Sequence, residues 1–356
     1  MEEHEKITAS AEGMDLFAAA NSGKGFVSFF SEVFDRPEYR RRYILKGGPG
    51  TGKSSFLKRI AASSEARGRS VRLYRCSSDP DSLDGIVIDG SVAIIDGTAP
   101  HAVEPTLPGA RDEIVNLGAF WDSEALGVYY GELEALDRKK SASYKKAYRY
   151  LSAAFLLEEI NAELVRPYIR EEKLRAFVSR IMRSVPKGEG FEILPGLQSA
   201  IGRTGRVRLD SYERMARHLY AIEDFFGLGA AFLSALIEEG AKKRLAMEVS
   251  YEPLNPDRPD GVFLRETGEC FLCQVSEETV PYARIRMRRF LDPAFPAETK
   301  SEIRMNRRMS EALIKDAERV MAKAGDVHRQ MEAVFGSCMD FEGLERFTRE
   351  FSEKLS

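Results

Sequence analysis

Residues 43–57 read Tyr-Ile-Leu-Lys-Gly-Gly-Pro-Gly-Thr-Gly-Lys-Ser-Ser-Phe-Leu. Within them Gly47, Gly52, Lys53 and Ser54 satisfy GxxxxGK[ST], with Gly48, Pro49, Gly50 and Thr51 between and Ser55 after. Glycines let successive backbone N–H groups turn inward onto phosphate oxygens, and a helix starting at Lys53 would add the positive end of its dipole. Lys53 would reach terminal phosphates, and the Ser54 hydroxyl would be a ligand of Mg2+. This is the chemistry of holding a magnesium-bound triphosphate, with ATP the expected ligand.

A second oxygen ligand for the metal is expected at the end of another strand of the same sheet. The run Ser-Val-Ala-Ile-Ile-Asp at 91–96 supplies Asp96 about 40 positions after the loop, with a βα unit expected between them. Asp79, Asp81 and Asp84 follow a strand expected through Val71, Leu73 and Tyr74. One of them could orient the attacking water, Asp79 foremost; the other reading is that they cap the turn and a following helix. Gly97 rather than Glu follows Asp96, so the usual base beside the metal acid is not encoded there. His101 could sense the terminal phosphate or serve an acceptor, or hydrogen-bond locally. Lys53, Asp96, Asp79 and His101 are therefore the candidate catalytic residues.

These residues need a sheet to hold them, and the internal matches predict two. Pro256, Asp257, Asp260 and Gly261 stand 176 positions after Pro80, Asp81, Asp84 and Gly85, and neighbouring segments match at offsets of 177 to 180. At an offset of 177 Gly47 maps to Asp224, Lys53 to Ala230, Ser54 to Ala231 and Asp96 to Cys273. An alanine cannot neutralise phosphate and an aspartate at the loop's start repels it, so the second copy is expected not to bind nucleotide. Pro186 to Gly196 reads as the hinge. The expected organisation is an active domain over 1–186 and a degenerate repeat over 187–356. Each is α/β, a parallel sheet flanked by helices, with a C-terminal helical extension such as the amphipathic 144–164 and 301–335. Arg203, Arg206, Arg307 and Arg308 are candidates to reach across the halves. The loop at Asn21, Ser22, Lys24 and Gly25 could shape the mouth of the site or carry ordinary surface charge.

Composition sets the limits. The chain has 356 residues, 43% hydrophobic, and a net charge of −3, which excludes disorder as the main state and gives no basic footprint for nucleic acid. Four cysteines follow no disulfide framework; Cys270 and Cys273 form a CxxC with no second ligand pair and read as small buried hydrophobes rather than a zinc site. The N-terminal residues show neither a basic nor an apolar leader region, and no apolar run is long enough to span a bilayer, so a cytoplasmic location without a membrane partner is expected. A monomer acting as a pseudo-dimer, or a homodimer, fits the repeat. An unknown protein or small molecule would be the further partner.

The segments ILKGGPGTGKSS, YRCSSDPDSLDGIVI and AIIDGTAPH together resemble a family of uncharacterised bacterial tandem P-loop ATPases, sometimes labelled nucleotide kinases. The likeness spans nearly the whole chain. It implies two P-loop domains and ATP hydrolysis, with the second loop often intact; here Ala230, Ala231 and Cys273 depart from that pattern. Three functions are carried forward: an ATPase with one active site, a kinase passing the terminal phosphoryl group to a small molecule, and a nucleotide-gated binding module with little turnover.

Overall fold

Residues 14–355 are described by the structure, a computed structural model. The leader reading concerns residues that lie mostly outside that range. The first half runs β1 (Met14–Phe17), β2 (Ala19–Ser22), β3 (Gly25–Ser28), α1 (Phe30–Phe34), β4 (Arg41–Lys46), α2 (Lys53–Glu65), β5 (Val71–Arg75), β6 (Leu83–Ile88), β7 (Val92–Asp96), β8 (Asp112–Asn116), α3 (Ser123–Val128), α4 (Tyr130–Val165) and α5 (Glu171–Ile181). The second half repeats this order as β9 (Glu192–Gly196), β10 (Ser199–Gly202), β11 (Gly205–Arg208), α6 (Ser211–Met215), β12 (His218–Glu223), α7 (Leu228–Lys242), β13 (Ala246–Tyr251), β14 (Pro259–Leu264), β15 (Glu269–Leu272), β16 (Ala283–Arg286), α8 (Ala297–Ser337) and α9 (Phe341–Lys354).

Among the described residues each half builds one six-stranded sheet, ordered β1-β5-β6-β7-β4-β8 and, in the same pattern, β9-β13-β14-β15-β12-β16. The expected parallel sheet is corrected to a mixed one. β6 runs antiparallel to both β5 and β7, and β14 does the same between β13 and β15. Connection length is the reason: a parallel crossover needs a dozen or more residues, and only 89–91 join β6 to β7. Asp89 and Gly90 take positive φ of 49° and 59° there, the geometry of a hairpin turn. No βα unit therefore separates the glycine-rich loop from Asp96 in the sheet's second part; a β-hairpin follows α2 and β5.

The halves meet about a local two-fold axis. Phe17 and Leu197, 180 positions apart, exchange two backbone hydrogen bonds of 2.9 Å. Nearby Arg72 of β5 donates to the buried Glu248 of β13 at 2.8 and 3.2 Å, and Arg265 adds a bond of 3.2 Å. A buried carboxylate with two guanidinium partners keeps its charge, and Glu248 is indeed held below its ordinary range by Arg72 and Arg265 against the burial that would raise it.

The terminal helices cross between the halves. α4 and α8, of 36 and 41 residues, lie antiparallel: Asn306 Nδ2 donates to Asn161 Oδ1 at 3.0 Å and Ser310 Oγ to the Ala154 carbonyl at 3.3 Å. α5 of the first half then packs on the second sheet, burying Leu174 and Val178 with Phe232, Leu233 and Leu236 of α7. α9 of the second half packs on the first, with Leu344 and Phe351 against Phe56, Leu57 and Ile60 of α2. The crossings are stitched alike: Asp340 N–H to the Phe120 carbonyl at 2.9 Å, and Arg170 N–H to the Phe290 carbonyl at 2.8 Å. Each sheet therefore completes its apolar core with a helix from the other half of the chain.

Candidate functional site

The loop at 47–52 joins the buried end of β4 to α2. Gly52 caps the helix at φ 79°, a left-handed conformation that costs glycine nothing and lets the chain turn straight into Lys53. α2 holds because Phe56, Leu57, Ile60, Ala61 and Ser64 fall on one buried face. Lys53 Nζ donates to the carbonyls of Gly47 and Gly48 at 2.7 and 2.9 Å and lies 3.7 Å from Asp96 Oδ2. β4 and β7 are parallel neighbours with Leu45 beside Asp96, which is how residues 43 positions apart in sequence reach one site. Thr51 is buried and its hydroxyl donates to the Gly48 carbonyl at 2.9 Å, bracing the loop from inside. Pro49 is half-buried, and Ser55 lies exposed on α2.

Asp96 Oδ1 accepts from the N–H and hydroxyl of Thr98 at 2.9 and 2.6 Å, which fixes the carboxylate and leaves Oδ2 toward Lys53. Ser54 Oγ accepts the Leu83 N–H at 3.0 Å and keeps a second lone pair. A hydroxyl and a carboxylate are the hard oxygen donors that magnesium takes, so this donor set fits that ion.

Of the three aspartates, the structure brings Asp84 rather than Asp79 to this centre. Asp84 lies inside β6 instead of beyond a strand end, and no helix follows the turn for these residues to cap. Burial pushes its carboxyl up to about 6; His101 and Lys53 pull it down and Asp96 adds to the rise. His101 Nδ1 donates to the Asp96 carbonyl at 3.0 Å, its ring stacks on Phe30 with centroids 4.2 Å apart, and Nε2 stands 3.8 Å from Asp84 Oδ2. Asp79 instead accepts from Ser82 Oγ at 2.8 Å and pairs with Arg203 at 2.7 Å, while its buried Oδ1 has no hydrogen-bond partner. Asp81 is exposed.

The second half furnishes the opposite wall. Arg203, at the tip of the β10–β11 hairpin, donates its backbone N–H to the Ser78 carbonyl at 3.1 Å and packs along Gly325 of α8. Burial and the cations Lys140, Arg203 and Lys53 hold His328 of α8 below its ordinary range against Glu332. The matching hairpin of the first half goes elsewhere: Gly23 N–H bonds the Leu254 carbonyl at 2.9 Å and Lys24 pairs with Asp257. Lys24 thus serves the other half rather than the mouth of this site. Over the loop itself, a Cβ at Gly50 would stand 2.6 Å from the Glu332 carbonyl, one at Gly48 3.3 Å from Phe335 and 3.4 Å from Trp121, and one at Gly52 3.0 Å from Leu344. No sequence pattern marked Trp121, Glu332 or Phe335; the lone tryptophan was the one available signal.

The corresponding loop of the second half is two residues shorter. Gly227 caps α7 at φ 87° as Gly52 caps α2, while β12 and β15 keep the 177 offset of the strands. The sequence alignment of the loop is therefore corrected: Leu228 stands in the place of Lys53 and Gly229 in that of Ser54. Asp224 fills the anion seat itself, accepting the N–H groups of Gly227 and Gly229 at 3.0 and 2.6 Å. Arg307, named as a candidate to cross the halves, sits here, 4.0 Å from Asp224. Cys270 and Cys273 are thiols that burial pushes well above their ordinary range, and among the described residues no cluster of three or more His, Cys, Asp or Glu side chains could hold a metal. No described helix is long and apolar enough to cross a membrane. Comparison with known proteins returned no match to a family model, a curated protein or a solved structure.

Proposed function

We propose that the chain is a tandem P-loop protein with one working site, binding MgATP at the loop of the first half and hydrolysing it, while the second half is a non-catalytic repeat. The observation that supports this most is the meeting of Lys53 and Asp96 at the glycine-rich loop, 3.7 Å apart, against Leu228, Gly229 and Cys273 at the corresponding places. Backbone N–H groups from Gly48 to Ser54 would hold the phosphates. Lys53 would exchange two neutral carbonyl acceptors for phosphate oxygens, which make the stronger, charge-assisted bonds. Ser54 and Asp96 are the residues that would hold magnesium, and the ion would neutralise developing charge on the phosphates. Asp84, steadied by His101, is the carboxylate best situated to orient the attacking water. Arg203 would bring a cation from the second half to the edge of the site, where its ion pair with Asp79 tempers its effect on hydrolysis.

The test is release of labelled phosphate from gamma-labelled ATP with magnesium and no acceptor, comparing wild type with Lys53→Ala. Release that vanishes in the variant is the expected result. Equal release from both proteins would overturn the site assignment, and transfer of label only to an added metabolite would put the kinase reading first.

A further inference from the structure

The two halves cross beside the glycine-rich loop, where α9 docks on α2. Beside the loop lies a cleft of about 460 Å³ lined by Phe120, Trp121, Asp122, Cys338, Met339 and Asp340, so one wall comes from the first half and the other from the α8–α9 junction. It is a groove open to solvent along one side. Trp121 stands between cleft and loop. Its Cζ2 edge is turned to Gly48, its opposite edge to Gly118, and its ring lies 5.6 Å from that of Phe335. Cζ2 and Nε1 share a ring neighbour, so the edge facing the loop is also the one that carries the indole N–H. That N–H is buried and has no hydrogen-bond partner. Buried donors are nearly always paired, and one left unpaired costs about 1–3 kcal/mol.

The other half supplies an internal comparison. The strand bridge between Trp121 and Met339 has its counterpart between Leu291 and Ile169, so Leu291 occupies the place of Trp121. The half that carries Leu228 for Lys53 and Cys273 for Asp96 thus also lacks the aromatic ring and its N–H. A leucine fills the same apolar space, 7% exposed, so packing alone does not demand tryptophan.

We propose that Trp121 and the cleft beside it seat the aromatic base of the nucleotide, the base packing against the indole ring. This rests on the reading of the loop as a triphosphate site and adds that the ligand is a nucleoside triphosphate, as opposed to inorganic triphosphate. It also makes the base a contact of both halves at once.

The experiment compares MgATP with magnesium tripolyphosphate, which carries the phosphates without the base. Trp121 is the only tryptophan in the chain, so its fluorescence reports the site directly. In wild type, MgATP is expected to change the emission and tripolyphosphate to leave it nearly unchanged. By calorimetry, Trp121→Leu should weaken MgATP roughly fivefold to tenfold, the worth of one aromatic pair, and Trp121→Phe, which keeps an aromatic ring, should weaken it less. Tripolyphosphate affinity should stay constant in both variants. Equal weakening of the two ligands, or no change in either, would overturn the base seat while leaving the loop assignment intact. Failure of wild type to bind either ligand would overturn the loop assignment itself, and the base seat with it.

Discussion

The two halves share one strand order, one exchange of helices and one helix-capping glycine, yet the loops in front of α2 and α7 are chemically opposite. In the first, Lys53 donates to the carbonyls of Gly47 and Gly48 and stands beside Asp96. In the second, a pair of loop amides is satisfied by the protein's own carboxylate, Asp224. The contrast teaches that one helix N-terminus can be satisfied from within by a carboxylate while its counterpart carries a lysine instead. An internal carboxylate pairs the loop amides, and the loop shorter by two residues carries Leu228 and Gly229 where the first has Lys53 and Ser54.

The widest separation of the halves should come from Lys53→Ala, expected to reduce MgATP binding by roughly a hundredfold or more while Asp224→Ala leaves it unchanged, as read by calorimetry. Equal losses would mean that both loops hold nucleotide. The helix exchange predicts crossed damage: Phe351→Ala and Leu174→Ala should each cost about 3 kcal/mol in urea unfolding, because each empties a core position supplied by the other half. A loss under 1 kcal/mol from either would show that the exchanged helix is not docked in solution.

A pH series sharpens the comparison further. Asp84 and its counterpart Asp260 are both pushed up to about 6, from 3.8, mainly by burial. A folded-state value above the unfolded one means that the native state binds the proton more tightly. The cost to stability is therefore absent below about pH 4, grows as pH rises toward 6 and is constant above. Asp84→Asn and Asp260→Asn should each raise stability at pH 7 by about 2 kcal/mol and flatten that decline, whereas only Asp84→Asn should abolish turnover. Loss of turnover in both would make the pair structural. The smallest effect is expected at the hairpin tips: Arg203→Ala should slow turnover by roughly tenfold and Lys24→Ala should not, with both changing stability by less than about 1 kcal/mol because their ion pairs are partly exposed.

Much of the candidate site was written in short stretches. The glycine-rich loop, Lys53 and Ser54 are contiguous, and their order alone dictates a strand, a turn and a helix start. Asp96 was legible because four apolar residues ending in an acid describe a buried strand end. The repeat was legible because Pro80, Asp81, Asp84 and Gly85 recur in order. The Asp89-Gly90 turn was also there to be read, and it makes the sheet mixed where a crossover helix was expected.

What the sequence determined, then, is local: which backbone can turn inward, which side chains bear charge, and which half lacks them. The tertiary structure decided everything that depends on distant segments sharing space. It chose Asp84 over Asp79, because the antiparallel β6 buries one while Arg203 from the second half takes the other. It brought Trp121 against Phe335, and α9 onto α2, across more than 200 positions of chain. Residue order carries no signal for such pairings, since a helix with one apolar face can bury it on either sheet. Only the geometry of the long antiparallel pair, which carries each chain end to the opposite half, determines which.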